Sequence, residues 1–128
     1  MRVLVAGSRS ITDPAIVHKA ILDSGFAITT LISGMARGVD RLADAWAKAN
    51  SIPVSRYYAN WNEHGRAAGM IRNRAMVEQA EAAVIVWDRV SAGTRHTIGL
   101  VKQKAIPIFL LMVDPATGQV STIQAPIS

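Results

Sequence analysis

Short apolar runs alternate along the chain with longer stretches in which apolar residues recur every three or four positions. The first run, Val3 to Ala6, is strand-sized. Thr12-Asp13-Pro14 then offers a cap and a first-turn proline, and Ile16, Val17, Ala20 and Ile21 form a stripe that Gly25 ends, which predicts a helix. A second strand is expected over Ala27 to Ser33. Beyond a glycine-containing turn, Val39, Leu42, Ala43, Trp46 and Ala47 fall on one helical face. Pro53 to Tyr57 reads as a third strand, followed by a polar loop, Asn60-Trp61-Asn62-Glu63-His64-Gly65. The next helix runs to about Gln79 and buries Ala68, Ile71 and Ala75, with Met76 at its margin. Ala82 to Trp87 is nearly all apolar and so reads as a central strand. A helix over Thr94 to Lys104, a strand over Ile106 to Leu111 and a turn at Asp114 to Gly118 complete the pattern, and Gln119 to Ile123 leaves room for a short edge strand.

Strands alternating with helices build a mainly parallel sheet covered on both faces. Right-handed crossovers make 3-2-1-4-5 the simplest strand order, so the expected fold is a Rossmann-like α/β three-layer sandwich. At 128 residues the length fits one domain, 1–128. Half the residues are hydrophobic, enough for a core, and no run approaches the roughly 20 apolar residues of a membrane span. The chain enters its first strand directly, which reads as a strand and not as a secretion signal. Cysteine is absent, which excludes thiolate chemistry and suits a cytoplasmic setting. That absence and the scatter of His18, His64 and His96 also weigh against a metal site.

The net charge is +5, carried by ten Arg and four Lys. Arginine excess points to anionic partners, because its planar fork matches phosphate. The basic residues are scattered apart from Arg66, Arg72 and Arg74, so nucleic acid is the less favoured partner.

Three turns carry the candidate chemistry, each after the carboxyl end of a strand, where open parallel sheets hold their ligands. In Gly7-Ser8-Arg9-Ser10, glycine allows close approach, and Ser8 and Arg9 can donate to an oxyanion. In Ser33-Gly34-Met35-Ala36-Arg37-Gly38-Val39-Asp40, two glycines four apart expose backbone N–H groups at a helix start. The run is neither a Walker loop nor the dinucleotide fingerprint. Asp40 suits capping or hydroxyl binding better than acid–base work, although it and Asp44 lie one helical turn apart and could pair; Asp44 is expected to be solvated. In Trp87-Asp88-Arg89-Val90-Ser91-Ala92-Gly93-Thr94, Ser91, Thr94 and the amides around Gly93 could receive a phosphate. Arg72 is the preferred phosphate ligand of the third helix, and Asn73 could hold the loop or a ribose hydroxyl. Trp61, Tyr57 and Tyr58 could stack on a base, with loop packing the blander alternative. His96 could reach a ligand or lie on the surface.

These turns, with Gly69-Met70-Ile71-Arg72-Asn73-Arg74 and Ser91-Ala92-Gly93-Thr94-Arg95-His96, resemble the SLOG superfamily, which includes the LOG and Smf/DprA proteins. The likeness is strongest to its YspA/YpsA-related branch and covers about residues 1–110. It implies a pocket for a phosphate-bearing nucleotide derivative, such as NAD or ADP-ribose, with no further cofactor required. It also implies a homodimer, for which Met70 and Met76 offer apolar material. The LOG enzymes release the base from nucleoside monophosphates using Pro-Gly-Gly-x-Gly-Thr-x-x-Glu. Here Gly93-Thr94 match its Gly-Thr, the Pro-Gly-Gly is missing, and Thr97 stands where the glutamate belongs. That loss removes the carboxylate expected at an oxocarbenium-like centre. It shifts the expectation from N-glycosidase toward binding or sensing and leaves the catalytic residues unknown. Single-stranded nucleic-acid binding is a third alternative, since DNA-processing members of the superfamily bind single strands. Met35 and Arg89 occupy positions where glycine would be unsurprising.

Overall fold

The computed structural model describes residues 1–125; the last residues of the expected 1–128 domain, 126–128, lie outside the described residues. The element order is β1 (Arg2–Gly7), α1 (Pro14–Ser24), β2 (Thr30–Ser33), α2 (Val39–Ala49), β3 (Val54–Arg56), α3 (Trp61–His64), α4 (Ala68–Gln79), β4 (Ala82–Trp87), α5 (Ala92–Lys104), β5 (Ile108–Val113) and β6 (Val120–Ala125). The sheet runs β3-β2-β1-β4-β5-β6, parallel except for β6, which pairs antiparallel with β5. This is the Rossmann-like order with the C-terminal edge strand added.

Strand alternation sorts the core into two halves. Val3 and Val5 of β1, Val84 and Val86 of β4 and Phe109 and Leu111 of β5 face α1 and α2. Leu4, Ala6, Ala83, Ile85, Ile108 and Leu110 point the other way, against α4 and α5. Because both faces are covered, the strands read as unbroken apolar runs. Helix α1 begins where its cap predicted: the Asp13 carboxylate accepts from the Ala15 N–H at 3.0 Å, and Gly25 ends the helix at φ 70°.

Several expectations need correction. Strands β2 and β3 are shorter than the runs Ala27–Ser33 and Pro53–Tyr57, and β5 starts at Ile108, not Ile106. The polar loop at 60–65 contains a helical turn, α3, because the Asn60 side chain caps it, accepting from the Glu63 N–H at 3.1 Å. Helix α4 is rotated relative to the apolar pattern: Ala68, Asn73, Met76 and Val77 are buried, whereas Ile71 is 42% exposed. Asp44 is not solvated. It is buried and paired with Arg56 at 2.9 Å, so it does not form a carboxylate pair with Asp40.

Candidate functional site

The chain leaves β1 on one side for β2 and β3, then returns on the other for β4. The strand order therefore reverses between β1 and β4, and the carboxyl ends of the strands diverge there. A cleft of about 300 Å³ opens at this point. Its lining comprises Ala6, Gly7 and Arg9 from the first turn, Ala36 and Asp40 from the second, Ser91, Gly93, Thr94 and Thr97 around the third, and Arg72, Asn73 and Met76 of α4.

The remaining sequence candidates build the walls. Ser8 is buried and joins the first turn to the third: its N–H donates to Val86 O at 3.0 Å, and its Oγ accepts the Asp88 N–H at 3.0 Å and lies 3.4 Å from Thr94 Oγ1. Its carbonyl accepts the Val39 N–H at 3.4 Å, tying in the second turn as well. The Ser33 hydroxyl donates to Asp40 O at 3.2 Å, and Gly34 O accepts from Arg72 Nη1 at 2.9 Å. Gly38 has φ 78°, and a Cβ there would lie 2.5 Å from Ser8 O and 2.8 Å from the Arg9 Cα, so the two turns pack backbone against backbone. Gly7 is equally constrained, since its Cβ would meet Val39 Cγ2 at 2.8 Å and crowd Val86 O.

Asp88 folds the third turn onto itself. Its carboxylate accepts from the Ser91 N–H and Oγ at 2.7 Å each, from the Val90 N–H at 2.9 Å and from Ser10 Oγ at 2.8 Å. Burial opposes its charge, but these hydrogen bonds outweigh burial and hold the carboxyl well below the usual carboxylate range. Met35 and Arg89, at positions where the family resemblance makes glycine unsurprising, both adopt the left-handed conformation, at φ 58° and 71°.

Asp40 is the buried charge of the cleft. Oδ1 accepts the Gly7 N–H and Oδ2 the Ala36 N–H, each at 3.3 Å, so one carboxylate bridges the first two turns. Burial raises its pKa to about 6, against the opposing pull of those two N–H groups, Arg72 and Arg9. Arg72 spends Nη1 on Gly34 O and Nε on Asn73 Oδ1 at 3.1 Å, and its own pKa is lowered by burial. Arg9 sits exposed at the mouth. Two guanidinium groups thus outnumber one carboxyl group that is itself hard to ionise.

Helix α5 begins on the same cleft. No side-chain capping bond reaches its first turn, which carries no acidic residue, and a Cβ at Gly93 would meet open space. The Asp88 carboxylate, bonded to the Ser91 N–H and hydroxyl, meets part of the positive end of the helix dipole from behind, and Gly93 and Thr94 border the cleft. Thr97 lines the same wall, its hydroxyl donating to Gly93 O at 3.2 Å. His96 Nδ1 lies 3.4 Å from Asn73 Nδ2, on α4 and not at the surface alone. Among the described residues, no three His, Cys, Asp or Glu side chains cluster as metal ligands would.

Ala6 and Met76 line the cleft without having been singled out as site residues. Met76 is 1% exposed and so belongs to this wall, not to an interface. Asn73, Met76, Val77 and Ala80 follow the i, i+3, i+4, i+7 spacing, a stripe legible only if an inward asparagine is allowed.

A family model, that of the YspA, cpYpsA-related SLOG family, matches residues 1–64, the half of the chain that carries the first two turns. The chain belongs to this family. The Gene 61 protein of Mycobacterium phage D29 is 32% identical over 117 residues, covering 84% of this chain and 93% of that protein. The third turn and Arg72 lie beyond the stretch that the family model matches, so their place in the site rests on the geometry above.

Proposed function

We propose that the protein binds a phosphate-bearing nucleotide derivative, NAD- or ADP-ribose-like, in the cleft between β1 and β4. One observation carries the reading. Arg9 and Arg72 line a single cleft together with Gly93 and Thr94 at the N-terminus of α5. The Arg9 guanidinium, the Arg72 Nη2 that Gly34 O and Asn73 Oδ1 leave over, and the start of α5 form an anion seat, and glycine at position 93 lets a phosphate approach the backbone. Membership of a SLOG family favours a nucleotide as the source of that phosphate.

On this reading Asp40 takes a ribose hydroxyl or holds the two turns, and no further cofactor is needed. Thr97 stands at the glutamate position of the LOG resemblance with its hydroxyl engaged by Gly93 O, which favours binding over base release. The proposal includes a cytoplasmic setting and a homodimer. No helix among the described residues is long and apolar enough to cross a membrane.

Thermal-shift and calorimetric titration with AMP, ADP-ribose and NAD test the proposal. A ligand should raise the melting temperature by mass action, and Arg72→Ala and Arg9→Ala should each weaken binding about tenfold or more, as expected for a lost charge-assisted contact. If none of the nucleotides stabilises the protein while single-stranded oligonucleotides do, with steep salt dependence, the cleft reading fails. Free adenine released from AMP, and abolished by Arg72→Ala, would replace binding by hydrolysis.

A further inference from the structure

Two of the three tryptophans are packed. Trp46 lies against the core between the sheet and α1–α2, and Trp87 donates its indole N–H to Ser91 O at 3.1 Å beneath the Arg95 guanidinium. Trp61 is different: it is 53% exposed, and Tyr58 beside it is 70% exposed. With Ala59, Asn60 and Asn62 they line a second hollow, of about 440 Å³.

The Trp61 backbone is fastened in place. Asn60 caps α3 and also donates from Nδ2 to Glu63 Oε2 at 3.1 Å, while the Gly65 N–H bonds back to Trp61 O. The hollow adjoins the cleft at Gly69 of α4: a Cβ there would lie 3.6 Å from Trp61 Cη2 and 3.8 Å from Arg72 Nη2. The indole edge and the cleft guanidinium therefore flank one glycine that carries no side chain between them.

We infer that Trp61 and its hollow form a nucleobase subsite, in which the base stacks on the indole while the phosphate lies in the cleft beyond Arg72. The inference rests on the cleft being a phosphate seat. A half-exposed, backbone-anchored indole is the side chain best suited to a flat aromatic ring. Carboxamides at the rim, Asn62 above all, match the donor and acceptor edge of a base. Stacking uses the π face that all bases share, so the subsite distinguishes base from no base more than one base from another.

The test compares AMP, GMP and ribose 5-phosphate by calorimetry on the wild-type chain, Trp61→Ala and Trp61→Phe. Wild type should bind both nucleotides about 10- to 100-fold more tightly than ribose 5-phosphate. Trp61→Ala should erase that preference while leaving ribose 5-phosphate affinity unchanged, and Trp61→Phe should keep most of it. Equal wild-type affinity for all three probes overturns the subsite and spares the phosphate seat. A Trp61→Ala variant that weakens all three alike assigns the indole to structure alone, and one that weakens none assigns it nothing; either outcome overturns the inference. No binding of any probe by wild type removes subsite and seat together. Sedimentation of the same variants adds a last check, because a dimer that Trp61→Ala dissociates would make a second copy the occupant of this face.

Discussion

Asp40 accepts two backbone N–H bonds and faces two arginines, yet burial outweighs them and its pKa rises from 3.8 to about 6. For a carboxyl group this direction has a definite consequence for stability. At low pH both folded and unfolded chains hold the proton. As pH rises past the unfolded value the unfolded chain ionises first, so native stability falls until the folded carboxyl ionises near pH 6. A shift of this size is worth about 3 kcal/mol, and the side chain is too deeply buried for solvent to screen much of it. Asp40→Asn should therefore gain stability relative to wild type as pH rises from about 4 to 7, by up to roughly 3 kcal/mol. The variant has its own constant cost, because an amide nitrogen must replace one acceptor of the Gly7 or Ala36 N–H. Urea unfolding of both proteins at several pH values separates the two contributions, and a difference that does not change with pH would show that Asp40 does not titrate in this range. Asp88 offers the contrast. Its carboxylate is a turn organiser gripped by four donors, and this is why a residue that looks like a site candidate in the sequence does not line the cleft.

At the scale of elements, the three turns are one structure. Ser8 bonds to the second and third turns, and Gly38 meets the first through its missing side chain. Gly38→Ala must place a methyl group 2.5 Å from a carbonyl oxygen at a backbone angle that suits glycine, whereas Gly25→Ala at φ 70° meets nothing within 4 Å. The two variants divide the cost. Gly25→Ala should lose about 1 kcal/mol, the left-handed penalty alone. Gly38→Ala should lose about 2–4 kcal/mol, since backbone has to move as well. Chemical denaturation checks this, and equal losses would mean that the turns have room to part. Helices α1 and α2 and the central strands were legible because their caps and stripes agree with their tertiary surroundings. The span of α4 was legible too, but its inner face was not, because that face presents Asn73 to the cleft and a binary pattern rejects an inward amide. The turn α3 was hidden for the opposite reason: every residue from Asn60 to Gly65 is exposed, so its cap and not its hydrophobicity makes it. Met35 and Arg89 stand where the family resemblance leads one to expect glycine, and both adopt φ > 0.

At the scale of the molecule, one topological fact gathers the site. Because β1 and β4 are neighbours, turns separated by some 80 residues in sequence meet through Ser8 and Asp88. Crossover handedness makes that convergence readable from the strand order, and with it the candidates Gly7, Arg9, Asp40, Arg72, Gly93 and Thr94 that line one cleft. What strand order does not reveal is the charge state of the cleft, which depends on how deeply Asp40 is buried. Ionised, Asp40 cancels part of the field of Arg9 and Arg72; protonated, it leaves both cations to an anion. Binding of a doubly charged anion should therefore tighten as pH falls through about 6, the value at which the folded carboxyl takes up its proton. Sulfate is the suitable probe, because its charge stays constant where that of a phosphate monoester changes. An anion beside Asp40 raises the carboxyl pKa further, and each added unit corresponds to a tenfold gain, so sulfate should bind about tenfold more tightly near pH 5 than near pH 8. Asp40→Asn should flatten the dependence while retaining affinity, and Arg72→Ala should lower affinity at every pH. A slope that survives Asp40→Asn would assign the proton to another group and detach the buried carboxyl from the anion seat.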